Sequence, residues 1–310
     1  MSPPLRIGTR GSPLALAQTD DIVRRLMAAH AELGEAGRLE VVAIKTSGDL
    51  VQDRTLAEIG GKGLFTKEID QALLAGHIDL AVHSMKDVPT RLPAGLRLPC
   101  IAERADPRDA LIYPSAGRLA DLPAGAVIGT ASLRRAAQVR LRRPDLKVVP
   151  LRGNVGTRLA KLEAGAVDAT LLAMAGLARL GLEDCGATPL STDEMLPAVA
   201  QGAIGVTCRA GDTAAMAWLE PLDHLPSHLC VAAERAFLAV LDGSCRTPIG
   251  GLAVVAGDAL ILTGMIIAPD GSACHEARMS GTAAEAEAVG RAVGEDLRRR
   301  AAPGFFGGPP

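Results

Sequence analysis

Two short stretches hold the residues best suited to chemistry: "AVHSMKDVPT" (residues 81–90) and "LDGSCRTPIGG" (241–251). In the first, Asp87 sits beside Lys86 after an apolar run, and Pro89 fixes the turn. Neighbouring cations favour a carboxylate's charged form, which can stabilise a developing positive charge or relay a proton. Taken alone, Asp87 reads more simply as a turn or capping residue. In the second, Cys245 stands in a Gly/Ser/Pro turn beside Arg246, with no apolar neighbour before Ile249. An accessible thiol next to a guanidinium gains thiolate character. The residues leave open whether Cys245 is reactive, covalently modified or merely part of a turn. Cys100, Cys185, Cys208 and Cys230 lie in or beside apolar runs, as small hydrophobes do. The cysteines show no C-x-x-C spacing and the histidines no H-E-x-x-H pattern, so neither a disulfide framework nor a metal site is expected.

A second set of residues is cationic or hydroxylic and recurs where a strand gives way to a helix. Arg10 precedes Ser12 at a helix start, Lys62 lies in "GGKGLF", and Lys86 in "HSMKDVPT". Thr130, Ser132, Arg134 and Arg135 open another helix; Arg152 ends a strand in "LRGNVGTR", with Arg158 beyond it. In open α/β sheets such junctions face the ligand crevice. Helix N-termini offer free N–H groups and a positive dipole end, and Arg adds a planar fork for carboxylate or phosphate. Any one of these arginines is more simply a surface cation. The set predicts a ligand with many negative charges, held between two domains. Neither "GTRGSP" nor "GGKG" fits the Gly-rich nucleotide patterns, so a polycarboxylate or a non-nucleotide phosphate is expected.

The elements that must position these residues alternate. "LEVVAIKT" (39–46) and "IDLAVHS" (78–84) read as strands, separated by the helix "TKEIDQALLAG" with Thr66 as N-cap and Gly76 past its end. An earlier helix has Ser12 as N-cap, Pro13 in its first turn, and Ile22, Val23, Leu26 and Met27 on one face. The strand-to-helix pattern repeats through "AVIGT", "SLRRAAQVRLRR", "LKVVPLR" and "NVGTRLAKLEAG", which predicts α/β units with largely parallel sheets. The Pro-rich run 91–109 reads as a crossing between two such units. The last third differs: a helix over 228–243, antiparallel strands around the Gly257-Asp258 turn, and a helix over 282–300 make a small α+β domain. The tail 303–310 is expected to be disordered.

Composition agrees with a globular, multidomain chain: 310 residues, 48% hydrophobic and 22% charged. A net charge of −2 gives no global field toward nucleic acid or membrane. The first residues lack an apolar core and no run approaches the roughly 18 apolar residues of a span, so a cytoplasmic protein is predicted.

Taken together the motifs resemble the porphobilinogen deaminase (hydroxymethylbilane synthase) family. The resemblance is carried by "RIGTRGSPLALAQ", "GGKGLFTKEID", "AVHSMKDVPT", "ERADPRDA", "IGTASLRRAAQ", "RRPDLKVVPLRGNVGTRLAKL", "LLAMAGLARLGL", "LPAVAQGAIGV" and "ERAFLAVLDGSCRTPIG", in family order from residue 6 to about 250. It implies two periplasmic-binding-protein-like α/β domains around a central cleft and a small α+β C-terminal domain. The implied boundaries are 1–100 with 200–220, 101–199 and 221–302. The implied reaction condenses four porphobilinogen molecules head to tail, with loss of ammonia, onto a covalent dipyrromethane cofactor. Hydrolysis then frees hydroxymethylbilane. By position, Cys245 would hold the cofactor through a thioether. Asp87 would bind pyrrole N–H groups and stabilise the azafulvene-type cation left when ammonia departs.

Arg10, Ser12, Ser84, Lys86, Thr130, Ser132, Arg134, Arg135, Arg152, Arg158 and Gln201 match cofactor- and substrate-binding positions. Phe65 and Arg179 match residues near the growing chain, and Lys62 a loop over the cleft. Two departures, Glu58 where some members have lysine and Ala131 where the usual run has serine, bear on loop closure and one hydroxyl contact. A monomer that hands its product to the next tetrapyrrole-pathway enzyme is implied, with neither nucleic acid nor membrane as partner. Two other classes remain as alternatives. A polycarboxylate-binding protein would need neither Cys245 nor Asp87, and a thiol-dependent redox protein would want a resolving cysteine nearby.

Overall fold

The computed structural model describes residues 3–50, 63–114, 117–242, 247–302 and 304–305. Lys62, Glu58 and Cys245, and residues 303 and 306–310 of the tail, lie outside the described residues. By its contacts the chain divides into two units. The first joins the described residues of Met1–Arg54 and Ile59–Ala105 to Ala203–His228, and the second joins those of Asp106–Gly202 and Leu229–Pro310.

In the first unit five strands pair in the order β2-β1-β3-β10-β4. These are β1 (Leu5–Arg10), β2 (Leu39–Ile44), β3 (Leu80–Ser84), β4 (Leu96–Ile101) and β10 (Ile204–Arg209). β1 runs parallel to β2 and β3, whereas β10 is antiparallel to both its neighbours, so the expected parallel sheet is mixed. The reason is connectivity: β10 enters after the chain has traversed the second unit. β4 lies inside the Pro-rich run read as a crossing, and Pro99 is tolerated there because the strand is at the sheet edge beside a register shift. Helix α1 (Pro13–Ala29) is capped by Ser12, whose Oγ accepts the Ala15 N–H at 3.3 Å. Ile22 and Leu26 are fully buried and Val23 packs at the margin of the core, but Met27 is 42% exposed, so the apolar face is narrower than its sequence suggests. A short α2 (Ser47–Leu50) and then α3 (Lys67–Leu74) follow, with Thr66 at the N-cap of α3.

In the second unit the order is β7-β6-β8-β5-β9. The strands are β5 (Asp109–Ile112), β6 (Val127–Gly129), β7 (Lys147–Val149), β8 (Ala169–Ala173) and β9 (Ala187–Pro189), with α4 (Leu133–Arg142), α5 (Val155–Glu163) and α6 (Met174–Arg179) on the crossings. β6 is parallel to β7 and β8, and β5 is antiparallel to β8 and β9. The two sheets therefore share one plan, β5 taking in the second the place that β10 takes in the first.

The remainder of the second unit is an antiparallel sheet of β11 (Ile249–Ala256), β12 (Ala259–Ile267) and β13 (Cys274–Thr282). The β11–β12 hairpin turns on Gly257, whose φ of +62° suits glycine. β13 was not anticipated as a strand, because "CHEARMSGT" has little β-propensity; its pairing with β12 makes it one. After α7 (Thr213–Leu219), which belongs to the first unit, come α8 (Leu225–Val240) and α9 (Ala286–Arg300), each shifted from its predicted range. A one-turn 3-10 segment, Ala283–Glu285, precedes α9, and Thr282 and Glu285 form a capping box there. α9 packs backbone to backbone on α8: a Cβ at Gly290 would come 2.1 Å from the Ala233 carbonyl oxygen. Glu234, buried on α8, accepts the N–H groups of Ala200 at 2.5 Å and Ala253 at 2.8 Å. Ala137, Leu196, Met265 and Ile267 form a core that joins this sheet to α4. In the tail, the Phe305 ring lies 5.2 Å from that of His275.

No helix among the described residues is long and apolar enough to cross a membrane, and none of their His, Cys, Asp or Glu side chains form a group able to hold a metal ion.

Candidate active site

In the first unit, the parallel pairing of β1 with β3 sets their C-terminal ends side by side. Arg10 closes β1, and β3 closes at Ser84 and runs into a single 3-10 turn, Met85–Asp87. This brings the Arg10 Nη1 to 3.7 Å from the Asp87 carboxylate. Arg10 also donates through Nε to Asp49 at 3.3 Å and through Nη2 to the other Asp49 oxygen, and its guanidinium carbon lies 4.2 Å from the centre of the Phe65 ring. Burial would raise the Asp49 carboxyl, but hydrogen bonds from Arg10 and from Thr46 Oγ1, at 2.7 Å, outweigh it and hold Asp49 below its ordinary value.

A pocket opens at this sheet end. Arg10, Ser12, Phe65, Ser84, Lys86 and Asp87, all expected site residues, line it. Gln18, Thr66 and His83 line it too. His83 is buried with Nε2 at 3.1 Å from Thr207 Oγ1, which fits a structural histidine. Asp70, one turn into α3 from Thr66, is buried; burial lifts it to about 6, against the pull of the Thr66 hydroxyl.

In the second unit, β6 leads through Thr130 to Ser132, the N-cap of α4, whose Oγ accepts the Arg135 N–H at 3.4 Å. Thr130 Oγ1 accepts the Ser132 N–H at 3.2 Å. Arg134 and Arg135 turn inward, 4% and 5% exposed, onto the fully buried Asp109. Arg134 Nη1 is 2.7 Å from one carboxylate oxygen, and Arg135 reaches the other through Nη2 at 2.6 Å and Nε at 2.9 Å. Gln201 Nε2 adds a third donor at 3.0 Å. Burial alone would raise Asp109, but the two guanidiniums hold it far below the carboxylate range. Arg134 further donates to the Leu196 carbonyl, Arg179 to the Gly202 carbonyl at 2.7 Å, and Gln201 to the Pro107 carbonyl at 2.8 Å. Three expected ligand-binding residues therefore also fix the segment from Leu196 to Gly202.

Arg152 and Arg158 differ. Burial, then the nearby charges of Arg135 and Arg152, bring Arg158 down to about 10. Its Nε donates to the Gly153 carbonyl at 2.8 Å, and the buried Nη1 of Arg152 has no hydrogen-bond partner among the described residues. Crowded cations with an unpaired buried N–H are suited to an anionic ligand.

Asp109, Asp49 and Gln18 were missed as candidates. Asp109 stands inside "ERADPRDA", and its one signal was a carboxylate opening the apolar run "ALIY".

These features define a class: an α/β protein whose two sheets each end in cations and hydroxyls, with a part-exposed carboxylate among those of the first. The chain belongs to the porphobilinogen deaminase family. The family model described as "Porphobilinogen deaminase, dipyromethane cofactor binding domain" matches residues 5–217, and "Porphobilinogen deaminase, C-terminal domain" matches 228–299. The chain is 55% identical over 305 residues to the chloroplastic porphobilinogen deaminase of Oryza sativa subsp. japonica, covering 97% of this chain and 85% of that protein. Against the porphobilinogen deaminase of Paracoccus denitrificans it is 55% identical over 303 residues, covering 98% and 96%. Among solved structures, an ancestral arginine-binding protein bound to arginine superimposes with a TM-score of 0.40 at 16% identity, covering 72% of this chain and 92% of that one.

Proposed function

We propose that the chain joins four porphobilinogen molecules head to tail, releases ammonia at each addition and liberates hydroxymethylbilane by hydrolysis. The observation that carries this reading is the Asp87 carboxylate in a pocket with Arg10, Ser12, Ser84 and Lys86. The residues present fit dipyrromethane, a group bearing several carboxylates: the buried Arg152 Nη1 lacks a partner among the described residues, and Arg158 is crowded by like charge. When bound, that group supplies the pyrrole end on which the chain grows. Cys245 is assigned as its thioether anchor.

Asp87 accepts hydrogen bonds from pyrrole N–H groups and offsets positive charge that develops as ammonia leaves. Arg10, 3.7 Å away, orients that carboxylate. Ser12, Ser84 and Lys86 in the first unit, and Thr130, Ser132, Arg152 and Arg158 in the second, donate to acetate and propionate groups. Arg134, Arg135 and Gln201 serve the same ligand from around Asp109, Phe65 and Arg179 border the growing chain, and Lys62 acts on a covering loop. The reading divides the chain at 1–100 with 200–220, 101–199 and 221–302. It is completed by a cytoplasmic monomer that passes its product to the next enzyme of tetrapyrrole synthesis.

The test is the mass of the native protein. It should exceed the sequence mass by one dipyrromethane and give the aldehyde colour reaction of free pyrroles. An active protein with the bare chain mass would refute the covalent assignment.

A further inference from the structure

The segment from Leu196 to Gly202 docks on the outer edge of β11, a terminal strand of its sheet. The Gly251 N–H donates to the Pro197 carbonyl at 2.9 Å, and a Cβ at Gly250 would lie 3.1 Å from the Leu196 carbonyl oxygen. Within the segment the Gln201 N–H donates to the Ala198 carbonyl at 2.9 Å and closes a four-residue turn. The third residue of that turn, Ala200, has a φ of +58°. Turns with a positive φ there ordinarily use glycine or asparagine, because a Cβ crowds the left-handed backbone.

A carboxylate holds Ala200 in that conformation. One oxygen of the fully buried Glu234 accepts the Ala200 N–H at 2.5 Å, and the other accepts the Ala253 N–H of β11 at 2.8 Å. Burying a carboxylate is costly, and its hydrogen bonds to N–H groups are of the strong, charge-assisted kind. The next residue is Gln201, whose side chain donates to the Pro107 carbonyl at 2.8 Å and to Asp109 at 3.0 Å. Return of Ala200 to a negative φ would re-aim the chain at that point and draw Gln201 away from both acceptors.

We infer that Glu234 is a positioning residue: by holding Ala200 in the left-handed backbone it sets the Gln201 side chain at Asp109. The inference rests on the proposed function, in which Gln201 serves the ligand.

The test is Glu234→Gln and Ala200→Gly, alone and combined, with kinetics counted per folded holoenzyme by circular dichroism and intact mass. Glu234→Gln leaves one of the two N–H groups without an acceptor. It should raise KM for porphobilinogen roughly 10- to 150-fold, the worth of one hydrogen bond to a charged group, since apparent affinity falls with the population of the competent arrangement. Saturating substrate restores that arrangement, so kcat should stay within a few-fold. Ala200→Gly alone should leave both constants within about 2-fold of the parent. In the Glu234→Gln background it should lower KM again by roughly 5- to 30-fold, because glycine takes the left-handed backbone without alanine's steric cost. A glutamate that served folding alone would lower the melting temperature and leave the KM of folded holoenzyme unmoved. If Glu234→Gln does not fold, Glu234→Asp replaces it, withdrawing the charge by one methylene, with the same rescue expected. A folded Glu234 variant with KM within about 2-fold of the parent overturns the inference, as does a raised KM that Ala200→Gly fails to relieve. So does failure of both Glu234 variants to fold, with and without Ala200→Gly, which would make the residue a determinant of folding. A parent chain that does not turn over porphobilinogen removes the proposed function itself, and this inference with it.

Discussion

Removing the Asp109 carboxylate should destabilise the second unit far more than an ordinary point substitution. Two guanidiniums, 4% and 5% exposed, converge on a carboxylate with no exposure at 2.6–2.7 Å. Asp109→Ala leaves both charges buried without their counter-ion, and breaking a buried pair in this way costs about 3–5 kcal/mol. For a unit of this size each kcal/mol moves the melting temperature by about 2–4 °C, so a drop of roughly 6–20 °C is expected. Asp109→Asn keeps an acceptor oxygen and should fall less. The pH dependence has a definite sign. Asp109 is held well below its unfolded value, so its stabilisation is complete above about pH 4 and is lost as pH falls through the folded value. The gap between parent and variant should therefore be constant from neutrality to about pH 5 and narrow below pH 4. Melts followed by circular dichroism across that range read both effects. An Asp109→Ala protein melting within about 2 °C of the parent at neutral pH would refute the argument that the cluster is a buried, mutually dependent unit.

Asp87→Ala should leave the melting temperature within a few degrees, since Asp87 is part-exposed and only loosely paired with Arg10; kcat should fall by orders of magnitude, and near-normal turnover would remove Asp87 from the mechanism. Cys245→Ala should yield protein of bare chain mass with little or no turnover, checked by intact-mass spectrometry and a coupled porphyrin assay. Asp70→Asn should stabilise the protein at neutral pH by up to about 3 kcal/mol. Burial lifts the Asp70 carboxyl to about 6, so the parent loses stability as pH rises from about 4 through 6; parallel melting curves for parent and variant over that range would contradict this.

The family was legible in the sequence by itself, and the resemblance that carries it marks Asp87 and Cys245 as candidate reacting groups. The junction cations are legible because strand-to-helix transitions and helix caps are local signals, whereas Asp87 and Cys245 are singled out only by the family resemblance. Ser12 as N-cap of α1 follows from the same local chemistry, whereas Thr66 holds the N-cap position of α3 without a side-chain capping bond. The tertiary structure decided what those residues are paired with. Nothing in the spacing of Arg134, Arg135 and Gln201 says that they converge on Asp109, because β5 enters the second sheet antiparallel beside β8. Nor could periodicity give β10 its place between β3 and β4, or make a strand of "CHEARMSGT". Those outcomes depend on contacts between residues far apart in the chain, where burial sets the strength of a charge pair and pairing overrides propensity. Arg10 reads as a free anion-binding cation in the sequence; in the folded chain it is held by Asp49, because the end of β1 meets the turn that carries that carboxylate.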